Sequence, residues 1–406
     1  MPPLPHPYRQ LASTPGYPQI FWTRFASALS SWIDFTLIFI LLIGKFGASG
    51  IQIGVASSMI WLPTLLFGPK LGSLADRYPV GRILGATLLI RTISLTLLLS
   101  STTIHLFLVA VLLRAASNLG GGVLPLAVRY VVPEQLLADH ARLSVSVDQG
   151  TRLVSPLLAA ALAYIPDPQS GFLFSVGLLM LSVISARRLS RFVSATAAQS
   201  STSPLQHAKS DSAHASAWAS VRASPELSRV LWLCGTFTFV IGFLDPVVPI
   251  MLQTLPNGPE SFGLVMGATA LGALVGAHLT PRLRASNSDL QMISVALLAA
   301  SALVATAGGW ILSGASVHVW HIALWWSSLA MCNGSMLTCF QVAIQKHAPP
   351  GQIGAVSARM QNTRLLAYVV APLIGAATVR AIGMGASVAA VACIAGCGGF
   401  LFGRRR

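Results

Sequence analysis

Two aspartates lie inside long apolar stretches, where a charged side chain needs a specific reason to be. One is Asp34, in the segment SWIDF, and the other is Asp245, in GFLDP. An ionisable group in such a stretch costs several kcal/mol unless it faces a cavity or a partner. Neither aspartate has a basic residue one turn away on its own predicted helix. A carboxylate so placed can take up and release a proton near neutral pH, which makes both residues candidates for proton coupling.

An arginine on another predicted helix offers an alternative for the first aspartate. Arg114 also lies in an apolar stretch, and a cross-helix ion pair with Asp34 would serve packing alone. We keep Arg114 with the two aspartates as a third candidate for proton coupling. Around Asp245, the residues Pro246 and Pro249 predict a broken helix, because proline removes a backbone hydrogen bond.

A short motif in the middle of the chain recurs near its end. Gln149-Gly-Thr-Arg152 returns as Gln361-Asn-Thr-Arg364, at an offset of 212 residues. The two aspartates are separated by almost the same offset, 211 residues. Two unrelated markers with nearly one offset indicate that the chain consists of two related halves.

The two repeated arginines differ in their surroundings. Asp148 precedes Arg152 by four residues, so a structural ion pair on one helix face is as good an interpretation as a role in transport. Arg364 has no acidic residue at the equivalent position, so its partner is expected elsewhere, on another helix. Each arginine is followed on its helix by a proline, Pro156 and Pro372 respectively.

These charged residues stand out because the chain is otherwise apolar. It has 406 residues, of which 54% are hydrophobic and 9% charged, whereas a soluble domain carries roughly 25% charged residues. Apolar segments of about 18 or more residues recur along the whole length, which is typical of membrane-spanning helices. The sequence predicts an all-α membrane protein with twelve transmembrane helices in two pseudo-symmetric six-helix bundles. The predicted helices span 18–43, 51–69, 82–102, 104–127, 142–165, 170–188, 227–253, 260–280, 289–312, 318–342, 353–377 and 380–402.

The net charge of +15 does not require a nucleic-acid partner. The basic residues fall in alternate loops, so the positive-inside rule accounts for them and predicts that both termini are cytoplasmic. The expected location is the inner or plasma membrane of the cell. The predicted divisions are a disordered tail over 1–17, bundles over 18–188 and 227–406, and a cytoplasmic linker over 189–226.

A charged segment between two apolar runs carries a recognisable pattern. Gly72 is followed after three residues by Asp76-Arg77, and a three-residue gap then leads to Gly81-Arg82. The pattern resembles the cytoplasmic loop between the second and third helices of the major facilitator superfamily. The three-residue gap is longer than in the commonest form of this family motif. In this respect it is similar to the branch containing siderophore and macrolide exporters.

Two further segments carry the same resemblance. Arg114-Ala-Ala-Ser-Asn118-Leu-Gly120 is similar to the arginine-plus-glycine motif of the family's fourth helix. Ser155-Pro156-Leu-Leu-Ala resembles the antiporter motif of the fifth helix, with small residues replacing glycines, and a similar segment surrounds Pro372. The resemblance implies that the first, fourth, seventh and tenth helices line a central cavity. The cavity candidates on those helices are Trp32, Phe35, Asn118, Phe237, Trp325 and Asn333.

The charged segment is predicted to act as a cytoplasmic gate. Asp76 can face a helix N-terminus, while Arg77 and Arg82 can pair with acidic groups in one conformation and release them in another. The alternative is a simple positive-inside anchor, which needs neither Asp76 nor Gly72 and Gly81.

The sequence favours a proton-coupled exporter of a hydrophobic or siderophore-like small molecule, acting as a monomer in the lipid bilayer by alternating access. A nutrient importer, a lipid translocator of the same fold and a non-transporting membrane sensor stay open as alternatives. The chain has no motif typical of a metal, diphosphate or Ser-His-Asp enzyme, so no catalytic activity is expected. It has no nucleotide-binding loop, and neither a cofactor nor a metal is expected.

Overall fold

A computed structural model of the chain is helical throughout its regular elements. It describes residues 6–77, 80–119, 128, 131–163, 167–199, 218–256, 258–283, 288–349 and 353–403. The first seven α-helices are α1 (His6–Ser13), α2 (Tyr17–Gly44), α3 (Gly50–Arg77), α4 (Val80–Ser100), α5 (Ile104–Ser117), α6 (Leu137–Ala163) and α7 (Phe172–Gln199). The next seven are α8 (Pro225–Leu244), α9 (Val247–Gln253), α10 (Gly258–Leu283), α11 (Asp289–Leu312), α12 (Val319–His347), α13 (Ile353–Ile382) and α14 (Met384–Gly403).

Eight helical segments within these described ranges are long and apolar enough to cross a membrane. They are Tyr17–Gly44, Gly50–Gly68, Pro168–Arg191, Pro225–Gln253, Gly258–Thr280, Asp289–Leu312, Ala355–Ile382 and Met384–Leu401. Two shorter apolar helices, Gly85–Ser100 and Ile104–Ser117, accompany them. The all-α, multi-span character predicted from composition is therefore present in the structure.

The prediction of a disordered N-terminal tail is wrong for residues 6–13. They form α1, which is joined to α2 by a turn in which Gly16 has a φ of 85°, a conformation that favours glycine. Leu11 is fully buried in a cluster with Ile20 and Leu189. Proline is tolerated in the first turn of a helix, so Pro7 does not prevent the helix that this buried leucine stabilises.

The charged segment between the apolar runs is mostly helical. α3 continues through Gly72 and Asp76 to Arg77, and α4 begins at Val80.

The helix that contains Asp245 is broken, as its prolines predict. α8 ends at Leu244, Asp245 and Pro246 form a turn, and α9 begins at Val247. The break leaves Asp245 at the end of a helix, inside a segment apolar enough to span the membrane.

The chain divides into two compact units. Unit 1 comprises Met1–Ile38 and Leu66–Gln206, and unit 2 comprises Phe39–Leu65 and His207–Arg406. The predicted bundles follow the internal repeat, whereas the contacts group the hairpin of residues 39–65 with the C-terminal helices. Within unit 2 this hairpin is tied down by a hydrogen bond of 2.9 Å from the Gln253 side chain to the Ala48 carbonyl.

Helix backbones approach one another closely inside unit 2. A Cβ atom at Gly272 or Gly276 of α10 would overlap the backbone of α12 at Ser327 or Met331. A Cβ at Gly334 of α12 would overlap the α10 backbone in turn. Small residues allow this approach, and the resulting van der Waals contact is what holds helices together in lipid.

Candidate functional site

Asp34 lies at the centre of a buried polar cluster in unit 1. The residue has no exposed surface, and the Arg114 Nε of α5 donates to its Oδ2. Arg91 of α4 places a guanidinium nitrogen 3.9 Å from the same oxygen. Ser175 of α7 donates to Oδ1. The expectation that Asp34 lacks a fixed partner is wrong, and the alternative pairing with Arg114 is the one observed.

The Arg114 guanidinium connects this carboxylate to a cavity candidate. Its Nη1 donates to the side-chain oxygen of Asn118 at 2.8 Å and to Ser117 Oγ at 3.0 Å. Its Nη2 donates to Ser31 Oγ at 3.2 Å. Because guanidinium is planar with fixed donor directions, these contacts hold Arg114 in one orientation between α2 and α5.

The cluster carries more positive than negative charge. Arg91 and Arg114 are both buried, and Asp34 is the carboxylate that both approach. Ser27 and Ser30 of α2 accept hydrogen bonds from Arg91, at 3.2 Å for Ser27. Hydroxyl groups from α2 and α7 thus supply further hydrogen bonds to a carboxylate and two guanidinium groups that are buried away from water.

Arg152, the first of the two repeated arginines, lies in unit 1 together with Asp148. The Asp148 carboxylate forms an ion pair of 2.5 Å with Arg24 of α2, a cross-helix partner that the sequence analysis did not name. Arg152 lies over the ring of Trp32, 5.0 Å from the ring centre, and Trp32 contacts Phe35 edge-to-face. The cross-helix pair with Arg24 ties α6 to α2, a connection that spacing along one helix could not predict.

Asp245 has different surroundings in unit 2. Within the described residues, its carboxylate makes neither a hydrogen bond nor an ion pair. Its backbone N–H donates to the Ile241 carbonyl and closes the last turn of α8. The side chain is half-buried beside the helix break. An ionisable group of this kind is a candidate for binding a proton during a transport cycle.

Arg364 of α13 has its partners on other helices, as predicted, but they are not acidic. Its Nε donates to Thr238 Oγ1 of α8 at 3.1 Å, and the guanidinium lies 4.9 Å from the ring centre of Phe340 on α12. Nη1 donates to Gln361 on its own helix at 3.3 Å. The side chain is 5% exposed, and no ion pair joins it to a carboxylate of the described residues.

The two prolines of the repeated region lie within continuous helices. Pro156 is inside α6, and the neighbouring Ser155 donates to the Leu29 carbonyl of α2 at 3.0 Å. Pro372 is inside α13, where its carbonyl lies so close to Gly54 of α3 that no side chain fits there. Both positions therefore mark close helix packing.

The cavity candidates of unit 2 do not share one environment. Phe237 is fully buried in the core of the unit, so its prediction as a cavity-lining residue is wrong for this conformation, because helix packing occupies the position. Trp325 is half-buried, and its indole donates to the Leu303 carbonyl of α11 at 3.1 Å. Trp325 lines a cavity of about 240 Å³, together with Trp310 and His321.

The remaining cavity candidates keep accessible or unsatisfied groups. Trp32 and Phe35 of unit 1 are half-buried. Asn118 accepts a hydrogen bond from Arg114, as described above. In unit 2, Asn333 has a buried side-chain oxygen with no hydrogen-bond partner in the described structure. These side chains could each contact a small molecule within their own unit.

The gate candidates lie where α3 ends and α4 begins. Gly72, Asp76 and Arg77 belong to α3, while Gly81 and Arg82 belong to the first turn of α4. The side chain of Arg82 is exposed, and those of the other four lie outside the described residues. The gate role therefore stays a prediction.

Several partners were missed because their own sequence context is ordinary for a membrane helix. Ser175 and Thr238 are hydroxyl residues of a kind that is common in such helices, and Phe340 is one aromatic residue among many. A search for hydroxyls facing each buried charge would need the helix pairing, which the sequence does not supply. In the described part of the chain, no group of three or more His, Cys, Asp or Glu side chains could hold a metal ion.

Comparison with protein families gives a match over most of the chain. The model of the Major Facilitator Superfamily matches residues 20–372. One relative is described as the uncharacterized MFS-type transporter YfiS of Bacillus subtilis (strain 168). It is 24% identical over 382 residues, which is 91% of this chain and 88% of the relative.

Solved structures share the fold at low sequence identity. A peptide transporter POT has a TM-score of 0.70 and 14% identity, over 94% of this chain and 93% of its own. A bacterial homolog of the human lysosomal transporter Spinster has a TM-score of 0.67 and 14% identity, over 97% and 98%. The nucleoside transporter NupG has a TM-score of 0.66 and 12% identity, over 95% and 98%. The family match over residues 20–372 agrees with the multiple apolar helices and the charges buried within them. The chain therefore belongs to the Major Facilitator Superfamily and is an integral membrane transporter.

Proposed function

We propose that the protein is a proton-coupled exporter of a hydrophobic or siderophore-like small molecule. It acts as a monomer with twelve transmembrane helices in two six-helix bundles, and both termini face the cytoplasm. The protein alternates between two conformations, with Asp76 and its neighbours forming the cytoplasmic gate. The charge distribution, the internal repeat and the exporter-like motifs of the sequence support this description.

The observation that carries the coupling proposal is the contrast between Asp245 and Asp34. Asp34 is held by two guanidinium groups and a serine hydroxyl. Asp245 has none of these partners within the described residues and lies at a helix break. A carboxylate without a counter-charge favours its protonated form when it is buried and its ionised form when water reaches it. Alternating access changes this exposure to water, so Asp245 is the better proton carrier of the two.

The aromatic side chains near Arg114 in unit 1 support a hydrophobic or siderophore-like small molecule as the substrate. Trp32 and Phe35 form a half-buried aromatic pair, and Arg152 covers one face of the indole. Asn118 adds a hydrogen-bonding group next to Arg114. Sites for small organic molecules commonly combine apolar and aromatic walls with a few polar groups of this kind.

The test is transport by the purified protein in proteoliposomes with an imposed pH gradient. Fluorescent hydrophobic compounds and ferric siderophores serve as the panel. We expect that a proton gradient drives wild-type transport of at least one compound, while Asp245→Asn abolishes the gradient dependence but keeps counterflow of the same compound. Asparagine keeps the shape and polarity of the side chain but cannot exchange a proton.

Two results would contradict the proposal. One is a wild-type protein whose transport of every compound ignores the gradient. The other is an Asp245→Asn protein whose transport responds to the gradient as the wild type does. Gln253→Ala is the matched control, because it changes a polar side chain of the neighbouring helix α9 without touching an ionisable group.

A further inference from the structure

Arg364 is a buried cation whose described surroundings supply no negative charge. Its described contacts are the Thr238 hydroxyl, the Gln361 amide and the Phe340 ring. In unit 1 both buried arginines of the Asp34 cluster approach a carboxylate. Taking a guanidinium out of water without an anion is costly, and a cation–π contact with a phenylalanine offsets only a part of that cost.

The guanidinium is nevertheless held in a defined position. The Thr238 hydroxyl donates its proton to the Cys234 carbonyl at 2.7 Å, so its oxygen is oriented to accept from Arg364 Nε. Gln361, one turn earlier on α13, accepts from Nη1. The Nη2 group makes no hydrogen bond within the described residues. Arg364 is thus oriented by its neighbours, and the two N–H donors of Nη2 are left for another group.

A second unsatisfied polar group lies on the same side of α12 as the Phe340 ring. Asn333 precedes Phe340 by seven residues, which is two helical turns, so the two side chains share a face about 10 Å apart along the axis. The side-chain oxygen of Asn333 is buried and has no hydrogen-bond partner in the described residues. Buried acceptors in folded proteins nearly always have a donor, so a bound molecule that donates a hydrogen bond would satisfy this oxygen.

We infer that Arg364 binds an anionic group of the transported molecule, a carboxylate or an acidic group of similar shape. Asn333 accepts a hydrogen bond from a hydroxyl or amide farther along the same molecule, while the fully buried Phe340 ring holds the guanidinium in place. The inference rests on the proposed function and narrows it, because it selects organic acids over neutral or cationic hydrophobic compounds. A guanidinium suits this purpose, since its planar donor pair matches a carboxylate.

Thermal unfolding of the purified full-length protein in detergent provides the test. The probes are naphthoates and arylalkyl carboxylates, among them 6-hydroxy-2-naphthoate, each paired with its neutral carboxamide. We expect carboxylates to raise the unfolding temperature of the wild type while the paired carboxamides do not. Arg364→Gln should weaken the dissociation constant for the best carboxylate by about 30-fold or more, as expected when one partner of a buried charge pair is lost.

A control and a milder variant guard against a simple folding defect. Arg359→Gln removes a positive charge from the same helix, where that arginine lies over Trp218, and should leave carboxylate binding unchanged. Asn333→Ala should weaken the hydroxylated acid more than the same acid without its hydroxyl. This second effect does not depend on a folded Arg364→Gln protein.

The inference is overturned if no carboxylate stabilises the wild type, if acids and carboxamides stabilise it equally, or if Arg364→Gln binds acids as the wild type does. Its failure can be told apart from failure of the coupling proposal. Acid binding that requires Arg364, in a protein whose transport ignores a pH gradient, supports the anion site and rejects proton coupling. Gradient-driven transport of neutral compounds alone supports proton coupling and rejects the anion site.

Discussion

The two units of the molecule differ in whether their buried charged side chains form ion pairs. Unit 1 brings Asp34, Arg91 and Arg114 into one cluster and links α2 to α6 through Arg24 and Asp148. Unit 2 also contains a membrane-embedded aspartate and a membrane-embedded arginine, but no ion pair joins these two described side chains. An ion pair among the described residues of unit 2, Lys346–Asp289, lies at the ends of two helices.

The units also differ in what holds their helices together. In unit 2 the backbones of α10 and α12 touch at glycines, and α8 and α13 meet in the same way where Gly375 lies against the Phe243 carbonyl. In unit 1 the described glycines at positions 85, 150 and 177 have no atom near enough to meet a side chain, and a Cβ at Gly171 would meet side-chain atoms. Polar contacts across helices, namely the Asp34 cluster and the Arg24–Asp148 pair, add to the packing of unit 1.

This difference indicates a division of labour. A unit that is held by close backbone contact does not need its buried charges as structural ties, so those charges can serve ligands and protons. In a unit that is held together by ion pairs, a charged side chain cannot leave its partner to bind a ligand or proton without loss of stability. Related sequence positions, such as the repeated aspartates and arginines, can therefore have unlike roles in the two halves.

The largest expected effect comes from Asp34→Asn. The substitution leaves Arg91 and Arg114 buried together without a carboxylate, and removing one partner of such a group costs about 3–5 kcal/mol. We expect a large drop in the thermal unfolding temperature of the purified protein. The double variant Asp34→Asn with Arg114→Gln should recover part of the loss, because it restores the original net charge of the cluster. An unchanged unfolding temperature in the single variant would show that the charges of unit 1 are not structural.

Gly276→Ala tests the other side of the comparison. The added methyl group would collide with the α12 backbone at Met331, which should cost about 1–3 kcal/mol through helix displacement. Gly309 offers a matched control in α11, since a Cβ there meets no atom within 4 Å. Gly309→Ala should be neutral or slightly stabilising, because alanine favours a helix more than glycine does. Equal unfolding temperatures for the two variants would contradict the role of close backbone contact in unit 2.

Sequence reasoning recovered the helical membrane fold, the break at Asp245 and the non-local partner of Arg364, because each follows from a local pattern. The length of the apolar segments, the positions of the prolines and the missing acidic residue can all be read directly from the sequence. It failed where two helices must be brought together. The Arg24–Asp148 pair and the complete burial of Phe237 depend on which helix faces pack against each other. The helix at α1 was missed because it is stabilised by contacts with residues far away in the chain.

Asp245→Asn should change stability much less than Asp34→Asn. No described group depends on the Asp245 carboxylate for a hydrogen bond or a counter-charge, so removing its charge should shift the free energy of unfolding by less than about 1 kcal/mol. The measurement is thermal unfolding of both variants side by side at neutral pH. If the two aspartate variants lose the same stability, the comparison between paired and unpaired charges fails, whatever their effects on transport.

The smallest expected effect is a pH dependence confined to unit 1. His140 at the start of α6 faces Tyr17 and Arg24 of α2, with Tyr17 Oη 3.2 Å from Nδ1 and Ser144 Oγ 3.3 Å from Nε2. Burial lowers the pKa of His140 below its ordinary value of 6.5, and the positive charge of Arg24 lowers it further. The neutral ring can accept a hydrogen bond from Tyr17, whereas the protonated ring cannot.

Protonation of His140 should therefore destabilise the folded chain. Above pH 6.5 the histidine is neutral in both the folded and the unfolded chain, so its contribution to stability is fully present. As the pH falls below this value the unfolded chain binds a proton first, and stability is lost until the folded pKa is reached. The wild type should lose more thermal stability between about pH 7.5 and about pH 5 than His140→Gln, which cannot titrate. Identical pH profiles for the two proteins would mean that this contact does not couple protonation to the packing of α2 against α6.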